Sequence, residues 1–442
     1  MNDSAQIHPC ASLSGVVRVP GDKSISHRLA MLAALATGRS RIRGFLCSED
    51  CVNTVKALQT MGAGAVFDGT TLIIDGIDGP WRQPVQPLDV GNSGTGMRLL
   101  AGLLAGQPLV TELTGDASLC SRPMGRIKEP LERMGAGVEL LGKDGCAPIR
   151  ISGGRLHGID YALPVASAQV KSCVLLAALF ADGRTTLNEP LPTRDHTERL
   201  FHILGLPLTM EGTRLSLQGF GPTGPALPAR DWMVPGDFSS AAFWLAAAAA
   251  MPGARVTIRD VGLNPRRTAL LDVLKRMGAD ITVTPADQLL SSDPCGEVAV
   301  TGGKLRGTRV GGAEIPNLID ELPIAAVAGA LADGITEIRD ARELRVKESD
   351  RIACVATNLK ALGIAVTEYD DGLVIQGGSP IRGGVSLSSY GDHRIAMAMA
   401  ILALFADSPV TITPVACVDT SYPGFWNHLE ELGGHVDLHH CH

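Results

Sequence analysis

The sequence predicts an α/β protein built from six repeated units grouped into two lobes. Three observations carry this reading. A helix–glycine–strand pattern occurs six times, an apolar helix precedes each copy, and one short motif recurs half a chain apart. The chain has 442 residues, 45% hydrophobic and 19% charged, so a sizeable core is available and global disorder is excluded. Its 51 glycines and 27 prolines point to many short elements joined by tight turns.

The first pattern reads VKALQTMGAGAVF, PLERMGAGVELL, RLFHILGLPLTM, LDVLKRMGADITV, TNLKALGIAVTEY and NHLEELGGHVDL. Its turn glycines are Gly62, Gly135, Gly205, Gly278, Gly363 and Gly433. A glycine just past the last helical residue stops a helix, and the β-branched alternation that often follows fits a strand. The second pattern is an Ala/Leu-rich helix, a turn and a β-rich run, as in RLAMLAALATGRSRIRGF, MRLLAGLLAGQPLVTELTG and SSAAFWLAAAAAMPGARVTIRDV. Helices apolar on nearly every side are buried ones. The third observation is Val19-Pro20-Gly21-Asp22-Lys23-Ser24 recurring as Val234-Pro235-Gly236-Asp237-Phe238-Ser239, an offset of 215 residues. Each copy leads a strand-like segment through Pro-Gly into a buried helix. These are read as two crossover strands, giving one lobe at 21–236 and another at 1–20 plus 237–442, with a hinge at the crossovers.

Composition narrows the function. With 39 basic and 46 acidic residues the net charge is −7, and aromatics are only 4%, which disfavours a nucleic-acid surface. Residues 1–15 have no apolar core of signal-peptide length. The longest apolar stretches, Ser240–Pro252 and Ile395–Ala406, fall short of the ~20 residues a bilayer requires. Ten scattered cysteines with no CxxC pair argue against a disulfide framework or a structural metal, and for a reducing cytoplasm. The tail Leu438-His439-His440-Cys441-His442 could hold adventitious metal, though a frayed terminus is the simpler reading.

The chemistry is expected at the helix starts. GDKSISHR (21–28), GNSGTGMR (91–98), VASAQVKS (165–172), PGDFSS (235–240), NLIDELP (317–323) and YGDHR (390–394) each precede or open a buried helix. Free N–H groups and the positive dipole end suit anions there, and Lys23, Arg28, Arg98, Lys171 and Arg394 add cations. Ordinary capping explains any one segment taken alone. Two further segments stand out. Ser118–Met124 places Arg122 just before a helix. Leu344–Arg351 has five charges in eight residues, and on a helix Lys347 and Arg351 would share a face with Glu348 beside them. Like charges so spaced repel unless an anion lies between them, and a solvated face is the alternative. No Walker A string, GxSxG elbow, HExxH or dinucleotide fingerprint is present. Metal-free, cofactor-free chemistry on small, multiply anionic substrates is therefore expected.

Gly21-Asp22-Lys23-Ser24-Ile25-Ser26-His27-Arg28, Gly91-Asn92-Ser93-Gly94-Thr95, Arg122-Pro123-Met124, Arg345-Val346-Lys347-Glu348-Ser349-Asp350-Arg351 and Asp392-His393-Arg394 closely resemble the signature segments of the 5-enolpyruvylshikimate-3-phosphate synthase family. The resemblance spans nearly the whole chain in the right order. It implies two inside-out α/β-barrel-like domains, each of three repeated α/β units, joined by two crossover strands. It also implies transfer of the enolpyruvyl group from phosphoenolpyruvate to the 5-hydroxyl of shikimate 3-phosphate, a late step of aromatic amino-acid biosynthesis and the target of glyphosate. A cytoplasmic monomer without nucleic-acid or membrane partners is expected.

By resemblance, Lys23, Ser24 and Arg28 fall at shikimate 3-phosphate positions, and Lys23 also reaches phosphoenolpyruvate. Ser167, Ala168 and Gln169 form the second shikimate-phosphate segment, with Gln169 touching both ligands, and Arg194 resembles an arginine that holds the 3-phosphate. Gly94, Arg122, Arg351 and Arg394 fall at phosphoenolpyruvate positions. Asp320 matches the carboxylate that contacts the shikimate hydroxyls and is assigned as proton acceptor, Lys347 falls on shikimate 3-phosphate, and Glu348 falls at the site of proton transfer to the methylene carbon. Lys23, Asp320 and Glu348 are thus the implied catalytic set. Two departures are Ala168, where some members have serine, and Thr420, where some have lysine. Leu99 sits where many glyphosate-sensitive members have proline. The alternatives are the sister transferase acting on UDP-N-acetylglucosamine and a six-unit DNA clamp. The first needs a catalytic cysteine, which Cys120 echoes only at the wrong spacing from Arg122. The second needs basic inner helices, whereas these are Ala/Leu-rich.

Overall fold

The structure is a computed structural model, described here for residues 3–77, 79–286 and 291–439. His440, Cys441 and His442 of the tail lie outside the described residues. The chain divides into two compact units. One comprises Met1–Pro20, Pro235–Gln288 and Pro294–His442, the other Gly21–Val234 and Leu289–Asp293. Each has its own hydrophobic core.

Six apolar helices are buried: Lys23–Leu35, Gly94–Ala105 and Ala168–Ala178 in the Gly21–Val234 unit, and Phe238–Ala250, Leu322–Leu331 and His393–Ala403 in the other. Each repeat adds a second helix: Glu49–Thr60, Gly125–Met134, His196–Ile203, Ala269–Arg276, Arg351–Ala361 and Phe425–Glu431. The six turn glycines that follow all have φ between 71° and 119°, the left-handed region that ends a helix without a Cβ clash.

Every repeat also owns a four-stranded sheet of one topology. A strand pairs in parallel with the strand that leaves the buried helix, and two antiparallel strands follow. In the Gly21–Val234 unit the parallel pairs are Leu88–Asp89 with Val110–Thr114, Asp160–Ala162 with Arg184–Asn188, and Asp231–Met233 with Arg39–Arg43. In the other unit they are Ser14–Val17 with Arg255–Gly262, Arg309–Val310 with Gly334–Ile338, and Ser386–Ser388 with Val410–Thr413. The sixth sheet is completed by Ser4–His8, which lies between Val410–Thr413 and His435–His439.

The duplicated motif now has a topological meaning. Ser14–Val17 leads into the Lys23–Leu35 helix, yet it pairs within the unit that holds Arg255–Gly262. Asp231–Met233 leads into the Phe238–Ala250 helix, yet it pairs within the Gly21–Val234 unit. Each Val-Pro-Gly-Asp marks a passage of the chain from one unit to the other.

Small residues let the buried helices approach closely. A Cβ on Gly102 would lie 2.1 Å from the carbonyl oxygen of Cys173 on the neighbouring helix. In the other unit Trp244 Nε1 donates to Tyr422 Oη at 2.7 Å, and Tyr422 Oη lies 2.8 Å from His428 Nδ1, so the polar tips of a large buried cluster are paired. Gly102→Ala must push two helix backbones apart, and overpacking of this kind costs roughly 1–3 kcal/mol. Urea unfolding of the variant measures it, and a loss below about 0.5 kcal/mol would refute the backbone contact.

Candidate active site

In the Gly21–Val234 unit the first turns of the three buried helices are tied together. Asp22 caps the first, its Oδ1 accepting the Ile25 N–H at 2.9 Å. Ser93 caps the second and accepts the Gly96 N–H at 2.9 Å, while its Oγ lies 3.2 Å from His27 Nε2. His27 Nδ1 lies 2.8 Å from Thr54 Oγ1, whose hydroxyl donates to the Asp50 carbonyl at 3.4 Å. A Ser93 hydroxyl donating to Nε2 and an Nδ1–H donating to Thr54 satisfy this whole chain with a neutral ring. Burial, reinforced by the charges of Lys23 and Arg28, lowers the His27 pKa to about 3.

Arg28 is buried, and neutral oxygens accept its hydrogen bonds: Thr197 Oγ1 from Nε at 2.7 Å, Ser24 O from Nη1 at 2.8 Å and Ser172 Oγ from Nη2 at 2.7 Å. Burial is the main reason its pKa falls to about 10. Glu198 and Asp22 oppose that shift and the charge of Arg194 adds to it, so Arg28 stays protonated at neutral pH, within the field of a second arginine. Arg98 Nη1 donates to Gln169 Oε1 at 2.6 Å, and Gln169 Nε2 donates to Thr95 Oγ1 at 2.9 Å. Arg122 donates to Asn92 O at 3.2 Å, to Asn92 Oδ1 and to Ser118 Oγ. A Cβ on Gly94 would come within 2.9 Å of Arg98 Nη1 and 3.2 Å of Arg122 Nη1, so this glycine leaves room beside two guanidinium groups. Ser167 caps the third helix through the Val170 N–H, and Ala168 is that helix's first residue.

Two cations are held by carboxylates instead. Lys23 Nζ pairs with Asp50 Oδ2 at 3.0 Å, a partner the sequence did not single out. Lys171 was expected among the anion-binding cations, but it points into the core. It is fully buried, with Nζ 2.9 Å from Glu189 Oε1 and 2.5 Å from Glu198 Oε1. Its charge is neutralised there. Burial raises the Glu198 pKa against the opposing pull of Lys171.

The other unit gathers its polar groups around Arg351. This fully buried guanidinium grips Asp392 with Nε at 2.8 Å and Nη2 at 3.2 Å. Its Nη2 also meets Glu348 Oε2 at 2.5 Å, and its Nη1 lies 3.5 Å from Asp320 Oδ1. Burial works against the charge, but Asp392, Glu348 and Asp320 together outweigh it and hold the pKa above its ordinary value. Lys347 Nζ lies 3.7 Å from the same Asp320 oxygen. Burial lowers its pKa against the pull of Asp320, and Arg351 lowers it further. Arg394 donates to Asp320 O at 2.8 Å and Ser239 Oγ at 3.0 Å, with Nη2 3.8 Å from Asp320 Oδ2.

The Leu344–Arg351 run is not one helix, which corrects the expectation of a shared Lys347–Arg351 face. Arg342–Val346 forms a 3₁₀ turn, Asp350 is an N-cap accepting from Ala353 N–H at 3.0 Å, and the helix starts at Arg351. The capping preference of Asp350 breaks the helical register. Arg345 is a structural tie, 2.8 Å from Asp350 Oδ2 and 3.0 Å from Glu368 Oε1. Thr420 donates to Cys417 O at 2.7 Å, and Cys120 Sγ points to Gly115 O at 3.4 Å.

Sequence reasoning missed a second buried network. Arg267 Nη1 donates to Glu321 Oε1 at 2.9 Å and Nη2 to Asp237 Oδ1 at 3.2 Å, while Ser239 donates to Glu321. Glu321 sits in the DELP segment that was read only as a helix start. Arg267 lies in Asn264-Pro265-Arg266-Arg267, which carried no signal.

His27 supplies a pH test. The native ring is neutral down to about pH 3, whereas an unfolded histidine protonates near 6.5, so the unfolded state binds more protons in between. The stability that the neutral ring contributes is present above pH 6.5 and is lost as pH falls toward 3. Between pH 7.5 and 5.0 that loss is about 2 kcal/mol. His27→Gln should shrink the acid-induced drop in unfolding free energy by about that amount. Equal drops in the two proteins would show that His27 does not titrate in this way.

A family model described as EPSP synthase (3-phosphoshikimate 1-carboxyvinyltransferase) matches residues 7–429. A 3-phosphoshikimate 1-carboxyvinyltransferase of Akkermansia muciniphila is 52% identical over 435 residues, covering 96% of this chain and 99% of that protein. One from Salinibacter ruber is 50% identical over 431 residues, with 96% and 98% covered. The solved EPSP synthase of Acinetobacter baumannii superposes with a TM-score of 0.85 at 41% identity, covering 98% of this chain and all of that one.

Proposed function

The chain belongs to the EPSP synthase family, and from that premise we propose that it transfers the enolpyruvyl group of phosphoenolpyruvate to the 5-hydroxyl of shikimate 3-phosphate, releasing phosphate. The observation that carries the reading is the pair of carboxylates, Asp320 and Glu348, held on separate nitrogens of one buried guanidinium, Arg351. The reaction requires an acid and a base in defined positions. Glu348 delivers a proton to carbon 3 of phosphoenolpyruvate while the 5-hydroxyl attacks carbon 2 and loses its proton to Asp320. In the second half phosphate departs with the proton held by Asp320 as the carbon-3 proton returns to Glu348, restoring the double bond and both carboxyl groups.

Binding falls to cations together with the polar and small residues at the helix starts. Ser24, Arg28, Ser167, Ala168, Gln169, Arg194 and Lys347 are assigned to shikimate 3-phosphate, and Gly94, Arg122, Gln169, Arg351 and Arg394 to phosphoenolpyruvate. Lys23 serves both. Its ion pair with Asp50 at 3.0 Å holds the ammonium group in place until an anion competes for it. No metal or organic cofactor enters the scheme. Among the described residues no helix is long and apolar enough to cross a membrane, which is compatible with a cytoplasmic monomer acting on two small anions.

The reading is tested by phosphate release from phosphoenolpyruvate with either acceptor. Turnover with shikimate 3-phosphate and none with UDP-N-acetylglucosamine is expected, and the reverse would hand the chain to the sister activity. Glu348→Gln separates chemistry from structure. The amide keeps the shape but cannot cycle a proton, so kcat should fall by roughly 10²–10⁴, the scale of a general acid–base group. The Kd for shikimate 3-phosphate, read by calorimetry, should move less than about threefold. Near-normal kcat with a lower Tm would make Glu348 only a structural partner of Arg351.

A further inference from the structure

We propose that the paired strands Ser4–His8 and His435–His439 carry a surface site for a first-row divalent transition metal, with His8, His435 and Asp437 as ligands. The register sets His8 directly opposite His435, with ring centroids 4.5 Å apart. Asp437, two residues along the strand, falls on the same face as His435. His8 Nε2 lies 2.7 Å from Asp437 Oδ2, and His435 Nε2 lies 3.7 Å from Asp437 Oδ1. One donor atom from each residue falls within 4.8 Å of the other two. A tetrahedral metal with ligands ~2.0–2.1 Å away holds its donors ~3.4 Å apart, so small side-chain rotations close the site.

The donor set names the class of ion. Two imidazole nitrogens and one carboxylate oxygen suit zinc, cobalt, nickel or copper, whereas magnesium and calcium prefer oxygen alone. Side-chain exposures of 31%, 63% and 43% for His8, His435 and Asp437 leave an entry path and a position for water. None of the three belongs to the polar cluster around Arg351, so the site stands apart from the enolpyruvyl chemistry. A plain His8–Asp437 hydrogen bond would be of little consequence on an exposed surface. A metal does more, because its ligands lie 429 residues apart in the chain. It fastens the last strand of the chain to the first and stabilises the sheet in proportion to occupancy.

The test uses the full-length protein, zinc chloride and a non-chelating reductant. Calorimetry at pH 7.5 should find a zinc site whose affinity drops at least tenfold in His8→Ala and in His435→Ala. Zinc should raise the wild-type Tm and leave that of both variants unmoved. Copper(II) electron paramagnetic resonance should show two coordinated nitrogens in the wild type and one in His8→Ala. Wild-type zinc affinity in His8→Ala would place the metal on the C-terminal tail and overturn the proposal, as would a wild-type protein that binds no zinc at millimolar concentration.

Discussion

A helix that is apolar on every side can be polar only at its ends, and this constraint organises both units. Three such helices per unit are covered by three sheets, which removes their flanks from water. Beyond their C-terminal ends the chain turns into the strands of the enclosing sheets. Their first turns must then carry the polar groups, because four N–H groups at each start need acceptors. Asp22, Ser93, Ser167, Asp237 and Asp392 fill that need as caps. Chemistry collects at the helix starts because no other part of these helices is polar.

The two units solve the same problem with opposite electrostatics. In the Gly21–Val234 unit, Arg28, Arg98 and Arg122 donate to hydroxyls, carbonyls and amides. A guanidinium that donates to neutral oxygens keeps its charge available to phosphate and carboxylate, as Arg28 does through Thr197, Ser24 and Ser172. In the other unit every central cation faces a carboxylate: Arg351 with Asp392, Glu348 and Asp320, and Arg267 with Glu321 and Asp237. That pairing spends charge but introduces titratable oxygens in fixed positions, which a proton-transfer reaction needs and an anion receptor does not. One duplicated scaffold thus sets Arg28 against neutral oxygens in one unit and Arg351 against carboxylates in the other.

The legible parts of the sequence were those with local causes. A glycine in the left-handed region ends a helix wherever it stands, so all six turn glycines and their flanking helices and strands could be read directly. The apolar helices declared their burial by composition alone. Lys171 and the Leu344–Arg351 run failed for the same reason, since each depended on an orientation that sequence spacing does not fix. Lys171 follows a helix start like Arg98, but Glu189 and Glu198 pull it inward from loci distant in sequence. Asp50, Arg267 and Glu321 were invisible because their partners lie 27 to 82 residues away, and a lone Asp or Arg in a polar segment looks like solvent-facing charge. Asp392 was quoted as part of a motif, yet its grip on Arg351 from 41 residues away needed coordinates.

The topology also orders the folding of the chain. The Gly21–Val234 unit is nearly contiguous, because Asp231–Met233 supplies from its own end the strand that its first sheet requires. The other unit is interrupted, with Ser4–His8 and Ser14–Val17 separated from their partners by the whole inserted segment. During synthesis the contiguous unit has all but a few of its residues once Val234 emerges, and domains made first fold first. Ser4–His8, though made earliest, acquires its second neighbour only when His435–His439 appears. Its inward residues Ala5 and Ile7, fully buried in the finished sheet, must wait for the entire chain. Closure of the sixth sheet is therefore the long-range step of this fold, and interactions across Ser4–His8 and His435–His439 act where the loop-closure cost is greatest.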